Sequence, residues 1–199
     1  MANDYNGGLT REQFLFYEIR IVAKLILEGY SRDEIQEKVQ DENLFQFPTE
    51  RMVKNLTSTC FKRIDALDSE EMVYQLANAP AEAAKQVNLY AMMKYNRIVW
   101  DFMTTVIGEK FRTQEFEFSR KDLNVFFIQL QEQNDQVADW SDSTINKIKQ
   151  VLTKMLVECG YLDSVRSTQL NTITIEPELE MEVRAKNDFA ALPAFNCFN

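Results

Sequence analysis

Apolar positions recur along this chain at spacings of three and four almost throughout, the period of a helix with one buried face, and oxygen-bearing side chains stand where such runs begin. Thr10 with Gln13 has the form of a capping box ahead of Phe14, Tyr17, Ile21, Ala23, Leu25 and Ile26, and Gly29 closes that run. Ser31 with Glu34 predicts a second helix carrying Ile35 and Val39. It ends near Leu44 and Phe45, because Pro48 disfavours helical geometry at Phe47. Thr49 predicts a third helix, to about Leu67, with Val53, Leu56, Cys60 and Ile64 inward. Positions 68–97 keep a helical composition with a break at Pro80, and Trp100 to Gly108 reads as the end of a further helix leading into a second half.

The pattern then changes period. Phe116 and Phe118 alternate with Glu115, Glu117 and Ser119, which predicts a short strand with a buried aromatic face. Ser119 and Asp122 cap a helix through Leu123, Phe126, Phe127 and Leu130. A polar loop from Gln131 to Trp140 leads to Ser141 and a long helix with Ile145, Ile148, Leu152, Met155, Leu156 and Cys159 on one stripe, ended by Gly160. Tyr161–Leu162 and Thr172–Ile175 read as two strands joined by the polar stretch Asp163 to Asn171. Strand, helix, helix, hairpin is the order of a winged helix-turn-helix. After Pro177 a short acidic helix is expected over Leu179 to Lys186, and the tail to Asn199 reads as a docking segment or as disordered. The predicted fold is therefore mainly α: a helical N-terminal domain with a helix-turn-helix unit (9–97), a C-terminal winged helix-turn-helix with a small β-hairpin (98–186), and a C-terminal tail (187–199).

Composition narrows the functions this fold could serve. With 45% hydrophobic and 27% charged residues, and only 5 Gly and 4 Pro, the chain suits a helical globular protein better than an all-β one. Its most apolar stretch, Ile19 to Leu27, is interrupted by Arg20 and Lys24, so no membrane span is expected, and Met1 to Gly8 lacks the basic-then-apolar pattern of a signal peptide. A cytoplasmic location is expected. The 3 cysteines, Cys60, Cys159 and Cys197, are an odd number and far apart, which argues against a disulfide framework or a metal clasp, and Cys60 and Cys159 fall on apolar helix faces as core residues do.

The chain has 0 histidines, which removes serine-histidine and cysteine-histidine catalysis and the commonest zinc ligand. Neither G-x-G-x-x-G nor G-x-x-x-x-G-K-[ST] occurs, and the carboxylates lie singly on helical faces. A non-enzymatic protein with no cofactor, no metal and no small-molecule substrate is expected.

A helix-turn-helix buries one stripe of its second helix and offers the opposite stripe to the major groove, so the outer positions should be cations and hydrogen-bonding polar groups. After Ser141, the residues Ser143, Asn146, Lys147, Gln150 and Lys154 form such a stripe, and Ser141 and Thr144 stand at the helix start, where free N–H groups favour a phosphate. Arg166, between the two expected strands, is placed as a wing cation. After Thr49, a similar stripe runs through Arg51, Lys54, Asn55, Ser58 and Lys62. Double-stranded DNA is the partner these stripes suit, although a solvated helix face would look the same. The net charge of −9 opposes it, since cations neutralising phosphates supply most non-specific affinity. That charge is uneven: residues 49–66 hold Arg51, Lys54, Lys62 and Arg63 against Glu50 and Asp65, whereas 171–199 are acidic.

The runs Glu18-Ile-Arg-Ile-Val-Ala-Lys-Leu-Ile-Leu-Glu-Gly-Tyr-Ser-Arg-Asp-Glu-Ile35, Asn43-Leu-Phe-Gln-Phe-Pro-Thr-Glu-Arg51 and Arg63-Ile-Asp-Ala-Leu67 resemble the BrxA proteins of BREX bacteriophage-defence systems, and Leu156-Val-Glu-Cys-Gly-Tyr-Leu162 adds generic winged-helix character. The likeness extends over most of residues 10–185. It implies a small, non-enzymatic, all-helical protein with some similarity to the RNA-binding antitermination factor NusB, a DNA-binding role in host defence, and other BREX proteins as partners. It supplies no catalytic residues. Two alternatives stay open: an adaptor that docks through its amphipathic helices and the Phe-rich tail from Phe189 to Phe198, which the charge of −9 favours, and RNA binding of the NusB type.

Overall fold

The computed structural model describes residues 5–198; Met1–Asp4, the outer part of the polar N-terminal stretch, and Asn199, the end of the tail, lie outside the described residues. The chain is mainly helical and divides into two compact units, Phe14–Tyr95, and Asn96–Asn199 together with Met1–Gln13.

The first of these holds α1 (Phe16–Leu27), α2 (Arg32–Asp41), α3 (Glu50–Leu67), α4 (Glu70–Asn78) and α5 (Ala81–Tyr95). Ser31 and Glu34 close a reciprocal capping box, and the Thr49 hydroxyl accepts the Met52 N–H, so both helices start where the sequence places them. Pro80 separates α4 from α5, with Ala79 extended as the residue before a proline should be. Every residue of α5 from Gln86 to Met93 is buried, and α5 packs on α3 and α4. A helix with no polar face belongs at the centre of its unit.

The start of α1 differs from expectation. Thr10 caps no long helix; its hydroxyl donates to the Gly7 carbonyl within a 3-10 turn, Gly7–Thr10. The helix begins only at Phe16, after Leu15 adopts a left-handed conformation with φ 54. The reason is tertiary. The Phe14 carbonyl accepts from Arg63 Nη1 at 2.8 Å and from Asn88 Nδ2 at 2.7 Å, both side chains being buried, and this takes the oxygen away from any helical ladder.

In the second unit, α6 (Arg97–Phe102), a π-helical turn (Met103–Ile107) and α7 (Gly108–Thr113) follow one another without a break, ahead of α8 (Arg120–Gln133), α9 (Asp135–Ala138), α10 (Asp142–Glu158) and α11 (Pro177–Ala185). Gly108 is not a helix end, as the sequence suggested, but a point of close approach: a Cβ there would lie 3.0 Å from the Cβ of Pro193. Pro193 belongs to a 3-10 turn, Phe189–Phe195, formed by the tail. Leu192, Ala194 and Phe195 are buried, and the Tyr161 hydroxyl donates to the Ala194 carbonyl at 2.9 Å. The tail, read as docking or disordered, is folded into its own unit.

The expected β-hairpin is not formed. Among the described residues one isolated antiparallel bridge occurs, Glu117 to Gln169, flanked by Phe118 N–H to the Thr168 carbonyl (2.9 Å) and Leu170 N–H to the Phe116 carbonyl (2.7 Å). Tyr161 and Leu162 spend both of their N–H groups closing the end of α10 on the Leu156 carbonyl, at 2.8 and 3.3 Å, with Gly160 at φ 76, and one backbone bond, Asn171 N–H to the Tyr161 carbonyl at 2.9 Å, takes the place of a ladder. Segment 163–171 therefore leaves α10 as a capped turn and returns along residues 116–118.

Cys60 and Cys159 are buried and burial pushes the Cys60 thiol up to about 12, while Cys197 is half-buried. Among the described residues no group of His, Cys, Asp and Glu could hold a metal ion, and no helix is long and apolar enough to cross a membrane.

One buried cation positions α8. Lys110, on α7, reaches Asp122 at 2.9 Å and Glu115 at 3.4 Å, and the other oxygen of Asp122 accepts the Ser119 N–H at 2.7 Å in the capping box of α8. Burial acts to raise the Asp122 pKa, but the Lys110 ammonium and the Ser119 N–H outweigh it and hold the carboxyl below its ordinary value.

Two predictions follow from these contacts. Asn88→Ala leaves the Phe14 carbonyl with one donor fewer in a buried setting and should lower stability by about 1–3 kcal/mol, read as a shift of the urea midpoint; an unchanged midpoint would remove the carbonyl clamp as a stabilising element. The second concerns pH. A carboxyl whose folded-state pKa is lowered contributes stability that is complete above its unfolded value, about 3.9, and is lost as pH falls through the lower folded value. The gap in unfolding free energy between wild type and Asp122→Asn should thus be constant above about pH 5 and close as pH drops below about 4. Urea titrations across that range test it, and a gap that persists to low pH would contradict the assignment.

Candidate nucleic-acid interface

The Ser141 hydroxyl caps α10 by accepting the Thr144 N–H at 3.3 Å, as the sequence requires. Ile145, Ile148, Leu152, Met155 and Leu156 are buried, and Ser143, Asn146, Lys147, Gln150 and Lys154 are exposed. The predicted inner and outer stripes are therefore the observed ones. At the helix start, however, the three hydroxyls are turned toward one another: Ser141 Oγ lies 2.9 Å from Ser143 Oγ and 3.0 Å from Thr144 Oγ1. The Gly7–Thr10 turn packs against this end of α10, with Thr144 Cγ2 facing Gly7.

Beyond that end, α10 forms one wall of a groove of about 480 Å³. Asn146, Lys149, Gln150, Thr153 and Lys154 line it from α10; Ser119, Arg120 and Leu123 line it from α8; Phe118 and Val165–Thr168 close it. Four of the predicted residues, Asn146, Gln150, Lys154 and Arg166, meet here. Ser141, Ser143, Thr144 and Lys147 do not line the groove.

The segment carrying Arg166 is a stapled turn rather than a strand tip. Ser164 N–H donates to Ser167 Oγ at 3.0 Å, Ser167 N–H to the Ser164 carbonyl at 3.0 Å, and Arg166 N–H to Ser164 Oγ at 3.3 Å. Asn171 Nδ2 ties the base of the turn to the Gly160 carbonyl (3.0 Å) and to Asp163 Oδ1 (2.9 Å). Val165, 59% exposed, and Arg166 project from a turn whose own polar groups are satisfied.

Arg120, Lys149, Thr153, Ser167 and Thr168 were not singled out from the sequence. The polar stripe drawn on α10 was centred on its outermost line, whereas the groove face is rotated toward α8 and so takes in Lys149 and Thr153. The signal for Lys149 is its place between Asn146 and Thr153 at helical spacing. No sequence signal selects Arg120.

In the other unit, Arg51, Lys54, Asn55, Ser58 and Lys62 are exposed along α3, opposite buried Val53, Leu56, Cys60 and Ile64. Arg63, counted with these cations from the sequence, is 1% exposed and belongs to the core. Asp65 pairs with Arg32, whose guanidinium also covers the Phe61 ring.

The BrxA family model matches residues 3–187. The BREX protein BrxA of Bacillus cereus (strain H3081.97) is 33% identical over 165 residues, spanning 83% of this chain and 82% of that protein. The BREX protein BrxA of Paramagnetospirillum magneticum (strain ATCC 700264 / AMB-1) is 26% identical over 185 residues, spanning 93% and 90%. A crystal structure of an uncharacterized protein from Magnetospirillum magneticum shares the fold with a TM-score of 0.81 over 96% of this chain and 97% of that one, at 23% identity. On the family match over 3–187 and the relative at 33% identity, this chain belongs to the BrxA family.

Proposed function

We propose that this BrxA-family protein is a non-enzymatic, cytoplasmic component of a BREX-type bacteriophage-defence system that binds double-stranded DNA, with the polar face of α10 toward the major groove and Arg166 toward the backbone. The observation that carries this reading is the composition of one groove. Arg120, Lys149, Lys154 and Arg166 line it beside Asn146 and Gln150, and among the described residues no Asp or Glu does, in a chain with 31 acidic and 22 basic residues. Cations supply affinity through phosphates, and paired amides such as Asn and Gln suit adenine edges. The likeness of the relatives, which are BREX proteins, supports the setting. Other BREX proteins are the expected protein partners. For the adaptor reading, the middle of the tail is taken up within its own unit, where Leu192 and Phe195 are buried, and of its phenylalanines only Phe189 and Phe198 are exposed for docking.

A titration with duplex DNA, single-stranded DNA and RNA at two salt concentrations tests the proposal. Duplex DNA should bind most tightly, with an affinity that falls steeply with salt. Lys147→Glu with Lys154→Glu should weaken duplex binding by about tenfold or more and flatten the salt slope by up to about 2, since each phosphate contact contributes roughly 0.9 to that slope. Asn146→Ala or Gln150→Ala should change sequence preference instead. Unchanged affinity in the double charge reversal, with circular dichroism intact, would move the contact to the Arg51, Lys54 and Lys62 face of α3. Preference for RNA over duplex DNA would overturn the reading.

A further inference from the structure

We infer that the inner wall of the groove, between the start of α8 and the flank of α10, holds a discrete phosphate-binding subsite formed by Arg120 and Lys149. This rests on the proposed DNA-binding groove for its setting, but its ligand is defined more narrowly: a phosphate group, carried either by a nucleic-acid backbone or by a free phosphorylated molecule.

The placement of Lys149 is the first observation. Its ammonium donates to Asn124 Oδ1 at 2.8 Å and lies 5.3 Å from the centre of the Phe127 ring, two contacts that orient a half-buried side chain along the groove wall. Asn124 and Arg120 are four residues apart on α8 and share a face, which turns both toward Lys149. A long amine oriented by a neutral amide and an aromatic ring gives up rotamer freedom without gaining a counter-charge. An ammonium placed for its own unit's stability would ordinarily be given a carboxylate, as Lys110 is given Asp122 at 2.9 Å.

Arg120 supplies the second observation. Among the described residues neither it nor Lys149 forms an ion pair, and both line the same groove. The carboxylate nearest in sequence, Asp122, is turned to the opposite side of the α8 start, where it lines a separate depression with Lys110 and Lys121. Two like charges brought together with no anion between them oppose each other. Burial lowers the Lys149 pKa, the Arg120 guanidinium lowers it further, and Asp142 acts weakly the other way. An incoming phosphate removes that repulsion, and its oxygens can accept from a guanidinium fork and an ammonium at once.

The remaining walls suit the same guest. Ser119 and Arg120 are the cap and first residue of a 14-residue helix whose start is closed by the Ser119–Asp122 capping box, which fixes where the Arg120 side chain leaves the helix beside the groove. Thr168 lies along the rim, the Thr153 and Ser167 hydroxyls being engaged with the Lys149 carbonyl and with Ser164, and buried Phe118 and Leu123 give a floor that excludes water from one side. The subsite thus draws on the first helix of the pair for its guanidinium and on the inner flank of the second for its ammonium, while the outer stripe of α10 stays free to meet base edges.

The experiment uses the full chain with three single variants. Arg120→Gln removes the guanidinium from an exposed position. Lys149→Met keeps an apolar stem over Phe127 while removing the ammonium. Lys121→Gln, on the next residue but facing the other depression, is the control. Backbone amide shifts of residues 119–121 and 149 are followed on adding inorganic pyrophosphate, and duplex DNA binding is measured in parallel. The expected result is saturable pyrophosphate shifts at millimolar concentration that disappear in Arg120→Gln and Lys149→Met, a loss of duplex affinity of about fivefold to tenfold in each, and neither effect in Lys121→Gln. Pyrophosphate shifts without duplex binding would sink the DNA reading and leave the subsite to a free phosphorylated ligand. Duplex binding that is unchanged in both variants, with no pyrophosphate response, would overturn the subsite and leave the DNA reading standing on Lys154 and Arg166. Equal losses in Lys121→Gln would also overturn it, because general charge would then explain the effect. Thermal melts of Lys149→Met identify a fold defect, and in that event Arg120→Gln alone decides.

Discussion

The ammonium of Lys110 is the contact on which the groove depends. It is buried on α7, yet its partners, Glu115 and Asp122, come from the segment leading into α8 and from the first turn of α8 itself. Asp122 is also the reciprocal member of the Ser119 capping box, so one carboxylate joins the end of one helix to the start of the next. A buried lysine without such a partner would lose its proton or destabilise the unit. The arrangement satisfies it and, in the same stroke, draws a negative charge away from the face where Arg120 and Lys149 stand. The structural pair on one side of the α8 start and the anion-free groove on the other are two consequences of one placement.

Helix starts were legible in the sequence because a cap is a local device: Ser31, Thr49, Ser119 and Ser141 each bond an N–H two or three residues ahead. The inward stripe of α10 was legible for a similar reason, since helical spacing alone puts Ile145, Ile148, Leu152 and Met155 on one side. Failures occurred where a distant residue claimed a backbone group. Thr10 looks like a cap until Arg63 and Asn88 take the Phe14 carbonyl, and Tyr161–Leu162 looks like a strand until its N–H groups close α10. Cations were equally ambiguous. Arg63 and Lys110 are buried, Arg120 and Lys149 line the groove, and nothing in a single sequence separates these from solvated residues on a helix face.

The candidate site was legible only as a line of residues on α10. Its concavity comes from the return of segment 163–171 along residues 116–118, a course set by one antiparallel bridge and the stapled serine turn. Arg166 lies in the groove beside α10, but its segment is paired with residues 116–118 and not with Thr172–Ile175, the arm that the wing reading expected. A ladder would have held that segment through regular backbone pairs; here backbone bonds with Phe116, Phe118 and Tyr161 share the task with the serine hydroxyls and the Asn171 side chain, and Val165 and Arg166 stay exposed.

Net charge and local charge act at different ranges, so a charge of −9 and the anionic partner proposed above are compatible. At physiological salt the screening length is about 8 Å, so carboxylates lying well beyond that from the groove add little to the energy of a phosphate seated between Arg120 and Lys149. Several acidic groups are also engaged by their own partners, as Glu42 is by Lys38 and Glu180 by Arg184, which reduces the field they project. The overall charge instead governs approach. On the proposed reading, a polyanion drifting toward an acidic protein would be repelled at long range and held only once the groove is reached, so the acidic surface would slow encounter with DNA in general while the groove would set affinity at contact. For a protein with a small cationic site, that division disfavours indiscriminate binding along a duplex and leaves affinity to the few residues that line one groove.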